Sequence, residues 1–406
     1  MSKIGILGGS FNPPHKAHRA MARAACEQYG LHDLYFMPNA RPPHKTDAAF
    51  VSDEHRSRMV RLLVESMKDG RYHFSDFELK QGGISYTYQT LRNWKKEHPK
   101  DELFFILGGD SLETFDSWRN PDEISKNATI LAAPRSDMTD RELKKLCKEK
   151  TKQYKGAFLP LDIKPVYADI SSTAIREQSL TEKPDGITGR VWRYIRLHGL
   201  YGRKLLTFPS VPDETELLKC LRATLRPKRY RHTLGVADTA EELGRRYAGD
   251  DESLYRRARL AGLLHDCAKY YTDVEQIALC DSYGIDLTQT ERENPPLVHG
   301  KLGAYLAQNR YGVSDEEILS AIRVHTVGKP AMTTLEKIIY IADYIEPGRV
   351  IPEALHPLEE LRTLVTKDLD ATLIRVIENT VDYLKKSGRT IDEASLATLR
   401  YYENKE

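Results

Sequence analysis

Residues 4–18 read Ile-Gly-Ile-Leu-Gly-Gly-Ser-Phe-Asn-Pro-Pro-His-Lys-Ala-His. The run Ile4–Leu7 predicts a short buried strand, the glycines after it predict a tight turn, and a helix is expected to begin near the two histidines. Glycines let the backbone approach an anion, and a helix N-terminus offers unpaired N–H groups and the positive end of the helix dipole. His15 and His18 are expected on one helix face, where they can donate to a phosphate.

Short apolar runs alternate with helical stretches from this loop to about residue 200. The predicted strands are Ile4–Leu7, Leu34–Met37, His73–Phe77, Leu103–Leu107, Thr129–Ala133 and Ala157–Leu159. The predicted helices between them are Ala20–Tyr29, Glu54–Met67, Thr87–Lys96 and Arg141–Lys150. This order predicts an α/β fold, a doubly wound parallel sheet with helices on both faces. Ligands bind such a sheet beyond the carboxyl ends of its strands, which is where the Gly8–His18 loop falls.

The pattern changes near residues 199–213, where glycine, proline and serine interrupt all periodicity. We therefore predict one domain at residues 1–202, a linker at 203–212 and a second domain at 213–406. Long amphipathic helices predominate in the second domain, which is predicted to be all-α. Its predicted helices are Glu214–Thr224, Thr233–Tyr247, Leu254–Leu264, Leu302–Gln308, Glu316–His325, Thr334–Ile345 and Leu369–Lys386.

The length and composition agree with two globular domains, because 406 residues exceed one ordinary core. The chain carries 61 basic and 59 acidic residues, a balance that gives no support for binding to nucleic acid or membranes. Five cysteines without a Cys-x-x-Cys motif predict reduced thiols of a cytoplasmic protein. The first apolar run is too short for a signal peptide, and no run has the length of a membrane span. The sequence leaves the oligomeric state open.

Three further segments of the first domain have chemistry that suits a nucleotide. Asp169-Ile-Ser-Ser-Thr-Ala-Ile-Arg176 places three hydroxyls at a predicted helix start, with an arginine one turn later. Alone it predicts only an N-cap, but beside the histidine loop it suits a triphosphate. Asp110 follows a predicted strand, where it could hold ribose hydroxyls or belong to a plain turn. The third segment, Pro42-Pro-His-Lys45, is a stiff loop with two potential cations and by itself indicates little.

Together these segments resemble the nicotinate-nucleotide adenylyltransferases, a family of the Rossmann-like nucleotidylyltransferase superfamily, over roughly residues 1–200. That family combines the loop Gly-Gly-(Ser/Thr)-Phe-(Asp/Asn)-Pro-x-His-x-Gly-His with Pro-Pro-His-Lys, Ser-Tyr-Thr (here 85–87), Gly-x-Asp-x-Leu followed by a tryptophan, and Ile-Ser-Ser-Thr-x-Ile-Arg. One position departs from it: Ala17 stands where the family usually has glycine. We expect slightly tighter packing there and no loss of activity.

The resemblance implies a role for each matching residue, with His15 and His18 as the catalytic donors. The implied ATP-binding residues are Gly8, Gly9, Ser10, Phe11, His15, His18, Ile170, Ser171, Ser172, Thr173 and Arg176. Those implied for nicotinate mononucleotide are Lys45, Thr87, Asp110, Trp118 and Arg135. Trp118 could provide a flat stacking wall or belong to the core.

The implied reaction is direct in-line transfer of AMP from ATP, supported by Mg²⁺. It gives nicotinate adenine dinucleotide and pyrophosphate. Pantetheine-phosphate adenylyl transfer and cytidylyl transfer are the alternatives, and the Ser85–Thr87 and Trp118 features favour nicotinate.

Histidines and aspartates recur at wide spacing in the second domain. His265-Asp266 follows the apolar run Leu260–Leu264, so the pair is expected to face the interior. Charges inside a helical core need a partner, and a metal ion is the usual one. Satisfied core histidines with a surface aspartate are the alternative interpretation. The metal-ligand candidates are His232, His265, Asp266, His299, His325 and Asp343.

The segments Ala-Gly-Leu-Leu-His-Asp-Cys-Ala-Lys, Val-His-Gly, Val-His-Thr-Val-Gly and Tyr-Ile-Ala-Asp-Tyr-Ile-Glu-Pro-Gly-Arg resemble the YqeK-type proteins of the HD phosphohydrolase superfamily, over roughly residues 213–400. The resemblance implies that diadenosine tetraphosphate is hydrolysed symmetrically to two ADP at two transition-metal ions, expected to be iron. Four of the candidates would hold one metal: His232, His265, Asp266 and Asp343. Asp266 would bridge to a second metal held by His299 and His325.

Two cations near these candidates, Lys269 and Arg349, would clamp substrate phosphates or are ordinary solvated residues. Lys269 is the catalytic candidate of the pair. Two other interpretations remain open for the whole domain. It could be a metal-binding module that senses nucleotides or assists assembly, or it could cleave another nucleotide such as a guanosine alarmone.

Overall fold

The computed structural model describes residues 2–40, 50–83, 85–135, 138–154, 156–178, 182–351 and 354–404. The chain divides into two compact units, Met1–Leu205 and Leu206–Glu406. Lys45, one of the predicted substrate-binding residues, lies outside the described residues. Within the described ranges, no helix is both long and apolar enough to cross a bilayer.

A parallel six-stranded sheet in the order β3-β2-β1-β4-β5-β6 forms the centre of the first unit. Its strands are β1 (Lys3–Gly9), β2 (Asp33–Pro38), β3 (Tyr72–Phe74), β4 (Glu102–Gly108), β5 (Thr129–Ala133) and β6 (Phe158–Pro160). The chain fills one half of the sheet from β1 to β3 and then starts the other half at β4. The carboxyl ends of β1 and β4 therefore flank the crevice in which sheets of this kind bind ligands.

Helices cover both faces of the sheet, which confirms the predicted doubly wound α/β fold. They are α1 (Lys16–Tyr29), α2 (Asp53–Glu65), α3 (Phe77–Gln81), α4 (Thr87–Glu97), α5 (Gly109–Glu113), α6 (Pro121–Asn127), α7 (Asp140–Tyr154), α8 (Ser172–Glu177) and α9 (Gly189–His198). Successive side chains of a strand point to opposite faces. Leu7 accordingly joins one hydrophobic core and Ile6 the other.

Two element boundaries differ from the prediction for local reasons. The strand β1 continues through Gly8 and Gly9, which pair with Met37 and Pro38 of β2, so the glycines end the strand and the turn begins after them. The predicted strand His73–Phe77 stops at Phe74, and the N–H of Phe77, where α3 begins, donates to the Ser75 hydroxyl at 3.3 Å.

The second unit is helical over its described residues, which confirms the predicted all-α class. Its helices are α10 (Glu214–Thr224), α11 (Pro227–Arg246), α12 (Leu254–Leu264), α13 (Asp273–Tyr283), α14 (Gln289–Glu293), α15 (His299–Asn309), α16 (Glu316–Val324), α17 (Thr334–Ile345), α18 (Leu358–Leu364), α19 (Leu369–Lys386) and α20 (Glu393–Glu403). Four predicted helices have the predicted bounds, namely α10, α12, α17 and α19. The helix predicted from Thr233 begins instead at Pro227, because proline suits the first position of a helix.

Capping boxes mark three helices of this unit, two of which the periodicity did not predict. Thr272, Thr288 and Thr333 each accept the N–H of a glutamate three residues later, and each glutamate side chain returns to the N–H of its threonine. A Thr-x-x-Glu spacing is a known signal of a helix start. The signal was present in the sequence for α13 and α14 and was missed.

Candidate active sites

The loop after β1 brings the two predicted histidines together at the start of α1. His15 is the N-cap residue and His18 lies one turn into the helix, with their ring centroids 3.7 Å apart. The backbone N–H of His15 donates to Nδ1 of His18 at 3.1 Å. Since Nδ1 of His18 accepts, the neutral ring carries its proton on Nε2, which leaves that N–H available to donate to a ligand.

Burial keeps both imidazoles neutral in the free protein. It lowers the pKa of His18 to about 3, and burial together with the neighbouring His18 lowers the pKa of His15 well below its usual value. His15 is 6% exposed, and its Nδ1 is buried without a hydrogen-bond partner among the described residues. A buried orphaned nitrogen at a helix N-terminus fits a site that an anionic ligand completes.

The predicted hydroxyl segment lies against this loop. The Ser171 hydroxyl caps α8 by accepting the N–H of Ala174 at 3.1 Å, as the sequence predicted. The Ser172 hydroxyl donates to the carbonyl of Pro13 at 2.9 Å, and Nη1 of Arg176 donates to the carbonyl of Asn12 at 2.8 Å. Residues about 160 positions apart therefore share one site, because α8 is hydrogen-bonded directly to the loop that carries the histidines.

Two of the described nicotinate candidates, Thr87 and Trp118, lie on neighbouring segments. The Arg119 guanidinium lies 4.9 Å from the Tyr86 ring centroid, which places Thr87 and Trp118 in adjacent parts of the fold. Trp118 is half-buried, and its ring contacts Phe115 at a centroid distance of 5.4 Å. One part of the indole therefore packs on the core while the rest is accessible.

Asp110 and Arg135 are a loose, exposed pair next to these segments. The closest distance between the Asp110 carboxylate and the Arg135 guanidinium is 4.0 Å, and both side chains are at least half exposed. A pair of this kind contributes little to stability and can exchange its partner for a ligand. The remaining candidates of this unit, Gly8, Gly9, Ser10, Phe11, Ile170 and Thr173, lie on the β1 loop or beside the start of α8.

A cavity of about 930 Å³ is lined by Ile170, Ser171 and residues of α1. Lys16, Arg19 and Arg23 line it from the helix, opposite Lys164 and several carboxylates. The volume lies in the range of small-molecule sites. The first unit therefore offers room for a nucleotide-sized group next to the Ser171 loop.

All six metal-ligand candidates of the second unit meet at one centre, although five helices or helix ends supply them. His232, His265 and Asp343 place ligand atoms within 4.8 Å of one another, as do His265, Asp266 and His325. The Oδ2 atom of Asp266 lies 3.3 Å from Nε2 of His265, and its Oδ1 atom lies 3.2 Å from Nε2 of His299. The two oxygens of one carboxylate thus face two groups of ligands.

Groups outside this centre fix the tautomer of its histidines. The Nδ1 atoms of His265, His299 and His325 donate to the backbone carbonyls of Gly262, Pro296 and Ile322 at 2.6–2.7 Å. Nδ1 of His232 lies 3.1 Å from the buried Glu346 carboxylate. Since carbonyls only accept, the protons lie on Nδ1, and the Nε2 lone pairs point into the centre.

This arrangement fits a bound cation. Nε2 of His299 and Nε2 of His325 are 3.0 Å apart, yet neither carries a proton to share when both Nδ1 atoms donate to carbonyls. Two lone pairs that face each other repel, and a metal ion between the groups removes the repulsion. Nε2 of His232 and Nε2 of His265 are also buried and face carboxylate oxygens, with Oδ1 of Asp343 2.9 Å from the first and Oδ2 of Asp266 3.3 Å from the second. The residues present therefore fit a metal centre.

Electrostatics around the centre favour ionised carboxylates and neutral imidazoles at His299 and His325, whereas Asp266 and Asp343 raise the pKa of His265 against its burial. Burial opposes ionisation of Asp343, but the neighbouring His232, His265 and Arg349 outweigh it and lower the pKa. Burial, aided by the neighbouring histidines, lowers the pKa of His325 to about 3. Metal binding requires these protonation states.

Among the described residues three cations lie beside the centre, and two of them, Lys269 and Arg349, were predicted from the sequence. Arg349 lies 3.6 Å from Asp343, and Nζ of Lys269 donates to the Pro296 carbonyl at 3.3 Å, the same carbonyl that holds His299. Arg229 was missed, although its Nη1 lies 2.7 Å from Oδ2 of Asp266. The sequence signal for Arg229 was its position three residues before His232 on one helix. Glu346 was also missed, although it follows Asp343 at the same spacing.

Comparisons with known proteins follow the division into two units. A cytidylyltransferase-like family model matches residues 6–178 and an HD domain model matches residues 229–348. The chain is 36% identical to a probable nicotinate-nucleotide adenylyltransferase of Bacillus pumilus over 50% of its own length and 99% of the relative's. It is 42% identical to the symmetrical bis(5'-nucleosyl)-tetraphosphatase of Bacillus subtilis over 44% of its length and 91% of the relative's.

The chain belongs to both of these families. A solved structure of an HD superfamily hydrolase involved in NAD metabolism, from Clostridium acetobutylicum, is 36% identical over 48% of this chain and 100% of that one, with a TM-score of 0.45. The family membership confirms both resemblances that the sequence motifs indicated.

Proposed function

We propose that the chain is a bifunctional enzyme whose first unit transfers AMP from ATP to nicotinate mononucleotide. The observation that carries this proposal is the contact between the His15–His18 loop and the Ser171–Arg176 segment, in a chain that belongs to the adenylyltransferase family. A phosphate oxygen of the mononucleotide attacks the α-phosphorus of ATP, the bond to the β-phosphate breaks, and pyrophosphate leaves. No protein nucleophile is required.

In this proposal the side chains of the loop position and neutralise the triphosphate. His18 donates from Nε2 to the phosphate on which charge develops, His15 lies beside it, and Arg176 pairs with the leaving phosphates. Mg²⁺ neutralises phosphate charge and arrives bound to ATP. Trp118 and Thr87 take the nicotinate ring and its carboxylate.

An assay of the purified full-length chain with ATP and a panel of acceptors tests this proposal. Nicotinate mononucleotide should be used with a kcat/KM at least about tenfold above that of its amide analogue, of phosphopantetheine, and of phosphocholine with CTP. A preference for phosphopantetheine or CTP would instead support the alternative transferases of the superfamily.

We infer that the second unit hydrolyses diadenosine tetraphosphate symmetrically, with His232, His265, Asp266 and Asp343 at one metal and Asp266, His299 and His325 at the other. The carrying observation is the facing pair of Nε2 atoms beside a carboxylate with one oxygen toward each ligand group. Two such metals supply an activated water and stabilise the leaving phosphate. Lys269, Arg349 and Arg229 lie where substrate phosphates can pair with them.

The mixture of imidazole and carboxylate ligands favours a transition metal over Mg²⁺ or Ca²⁺, and we propose iron. Elemental analysis of the purified chain, together with hydrolysis assays on dinucleoside polyphosphates and a guanosine alarmone, tests the assignment. Two ADP per substrate is the expected product. Tight nucleotide binding without turnover in the metal-loaded chain would support the sensing-module alternative.

A further inference from the structure

The residues Leu200–Arg203, here called the strap, follow α9 at the end of the first unit. The strap turns sharply, because Gly199, Tyr201 and Gly202 all have left-handed backbone conformations, with φ of 61°, 57° and 68°. A left-handed tyrosine is unusual and persists only where surrounding contacts hold it. The sequence predicted a domain end and a linker here, and specific contacts with the site are not expected of such a segment.

The side chain of Tyr201 reaches the loop that carries the catalytic histidines. Its hydroxyl donates to Oδ1 of Asn12 at 2.8 Å, and Asn12 is itself only 2% exposed. The backbone N–H of Val51 donates to the same oxygen at 3.4 Å, and the Asn12 carbonyl accepts from Arg176. Burial raises the pKa of the Tyr201 hydroxyl, so it remains a donor throughout the physiological pH range.

Arg203 contacts α8, the helix that packs against the Asn12–Pro13 loop. The side chain is 4% exposed, and its guanidinium donates to the carbonyls of Ile175 at 2.8 Å, Arg176 at 3.3 Å and Gln178 at 2.7 Å. These carbonyls belong to the last turn of α8, where a cation both satisfies unpaired acceptors and complements the helix dipole. Arg203 therefore fixes the end of the helix that carries Arg176.

We propose that the strap is a positioning element of the adenylyl-transfer site, in which Tyr201 orients Asn12 and Arg203 orients α8. Arg176 and Ser172 contact the triphosphate in a fixed geometry. This geometry requires that α8 and the Asn12–Pro13 loop keep their relative position. The inference rests on the proposed function of the first unit and extends its machinery to the end of the predicted first domain and to Arg203, which the sequence assigned to the linker.

Tyr201→Phe in the full-length chain removes one hydroxyl and keeps the ring. We expect the KM for ATP and the Kd for ATP to rise about three- to tenfold, the range for one lost hydrogen bond, while the KM for nicotinate mononucleotide stays unchanged. Tyr29→Phe is the matched control, because that hydroxyl donates to the Pro160 carbonyl at 2.6 Å, away from the loop. It should cost similar thermal stability and leave both constants for ATP unchanged.

A double-mutant cycle separates positioning from simple stability. If Tyr201 acts through Asn12, the Tyr201→Phe change should have no further effect on ATP binding in an Asn12→Ala background. Arg203→Lys, which keeps the charge but cannot reach three carbonyls at once, should raise the ATP constants with little change in folding.

Equal ATP constants in Tyr201→Phe and Tyr29→Phe, or additive effects in the cycle, would overturn the proposal. Direct ATP binding keeps the test separate from the reaction. A chain that binds ATP and responds to Tyr201→Phe, but adenylates no nicotinate mononucleotide, would refute the proposed acceptor and leave the strap inference standing.

Discussion

Both sites contain histidines whose ligand-facing nitrogen is set in advance by a hydrogen bond between the other ring nitrogen and a backbone group. The N–H of His15 does this for His18, and backbone carbonyls do it for His265, His299 and His325. Fixing the tautomer before the ligand arrives removes an ordering cost from binding and catalysis. These partners are backbone atoms, so no sequence motif reveals them.

His18→Ala should reduce adenylyl transfer about 10²-fold or more, because a preorganised donor to the developing charge is lost. Steady-state turnover with saturating ATP and nicotinate mononucleotide measures the effect. His32→Ala is the control, since His32 only accepts the Lys3 N–H at 3.0 Å. A His18→Ala variant with the turnover of the control would refute the assigned role.

Asp266→Ala should lose both metal ions, whereas His325→Ala should lose mainly one, because a bridging carboxylate serves two ions and a terminal imidazole serves one. Elemental analysis after dialysis gives the stoichiometry. His356→Ala is the control, because this histidine pairs with Glu378 at 2.7 Å and lies outside the ligand set. Full metal content or unchanged hydrolysis in Asp266→Ala would refute the dinuclear site.

Glu346→Ala should weaken the metal site that contains His232 by about 10- to 100-fold, the usual cost of losing the group that orients a ligating histidine. Glu346→Gln should lose less, because its amide oxygen can still accept from Nδ1. Competition with a chelator ranks the wild type and the two variants. Identical metal retention in all three proteins would show that His232 needs no orienting partner.

At the scale of elements, glycines let α11 and α12 approach closely, and these helices position His232 and His265. A Cβ added at Gly262 would lie 2.8 Å from Cα of Ala237, and one added at Gly244 would lie 2.6 Å from Cα of Tyr255. Both neighbours are backbone atoms, which cannot move aside without shifting the helix. The two glycines therefore set the spacing between the two histidines.

Gly262→Ala should lower the stability of the second unit by about 1–3 kcal/mol and reduce its metal content, because the added methyl forces the helices apart. Thermal unfolding and elemental analysis measure the two effects. At Gly189, the first residue of α9, an added Cβ meets nothing within 4 Å. Gly189→Ala should therefore be neutral or slightly stabilising, and equal losses in the two variants would contradict the packing argument.

In the whole chain, the first residue of the predicted linker 203–212 packs within the first unit, and later linker residues pack on the second unit. Arg203 is buried in the first unit, while the N–H of Phe208 donates to the Arg310 carbonyl of the second at 2.8 Å. A Cβ at Gly312 would lie 2.6 Å from the Ser210 backbone, so that part of the linker also packs on the second unit. The predicted domain bounds stay a prediction, which separate expression can test.

Residues 1–205 and 206–406, expressed separately, should each fold and retain one activity, because each unit has its own core and its own set of site residues. The fragments are assayed for adenylyl transfer and for hydrolysis beside the full-length chain. A fragment ending at residue 202 should transfer AMP less well than one ending at 205, because it lacks Arg203. Insolubility of both fragments would indicate one shared core.

Local sequence patterns predicted the fold classes, the two families and the site residues that belong to local motifs. Alternating strands and helices are encoded by local periodicity, and β5 and α17 accordingly have the predicted bounds. Local spacing also places His15 next to His18.

The distant groups that support these motifs became apparent in the folded chain. Tyr201 meets Asn12 across 189 positions, and His232 meets Glu346 across 114. Such contacts depend on how helices and loops pack against each other, and periodicity within one element carries no information about that packing. For the same reason, the facing Nε2 atoms of His299 and His325 became visible only in the folded chain.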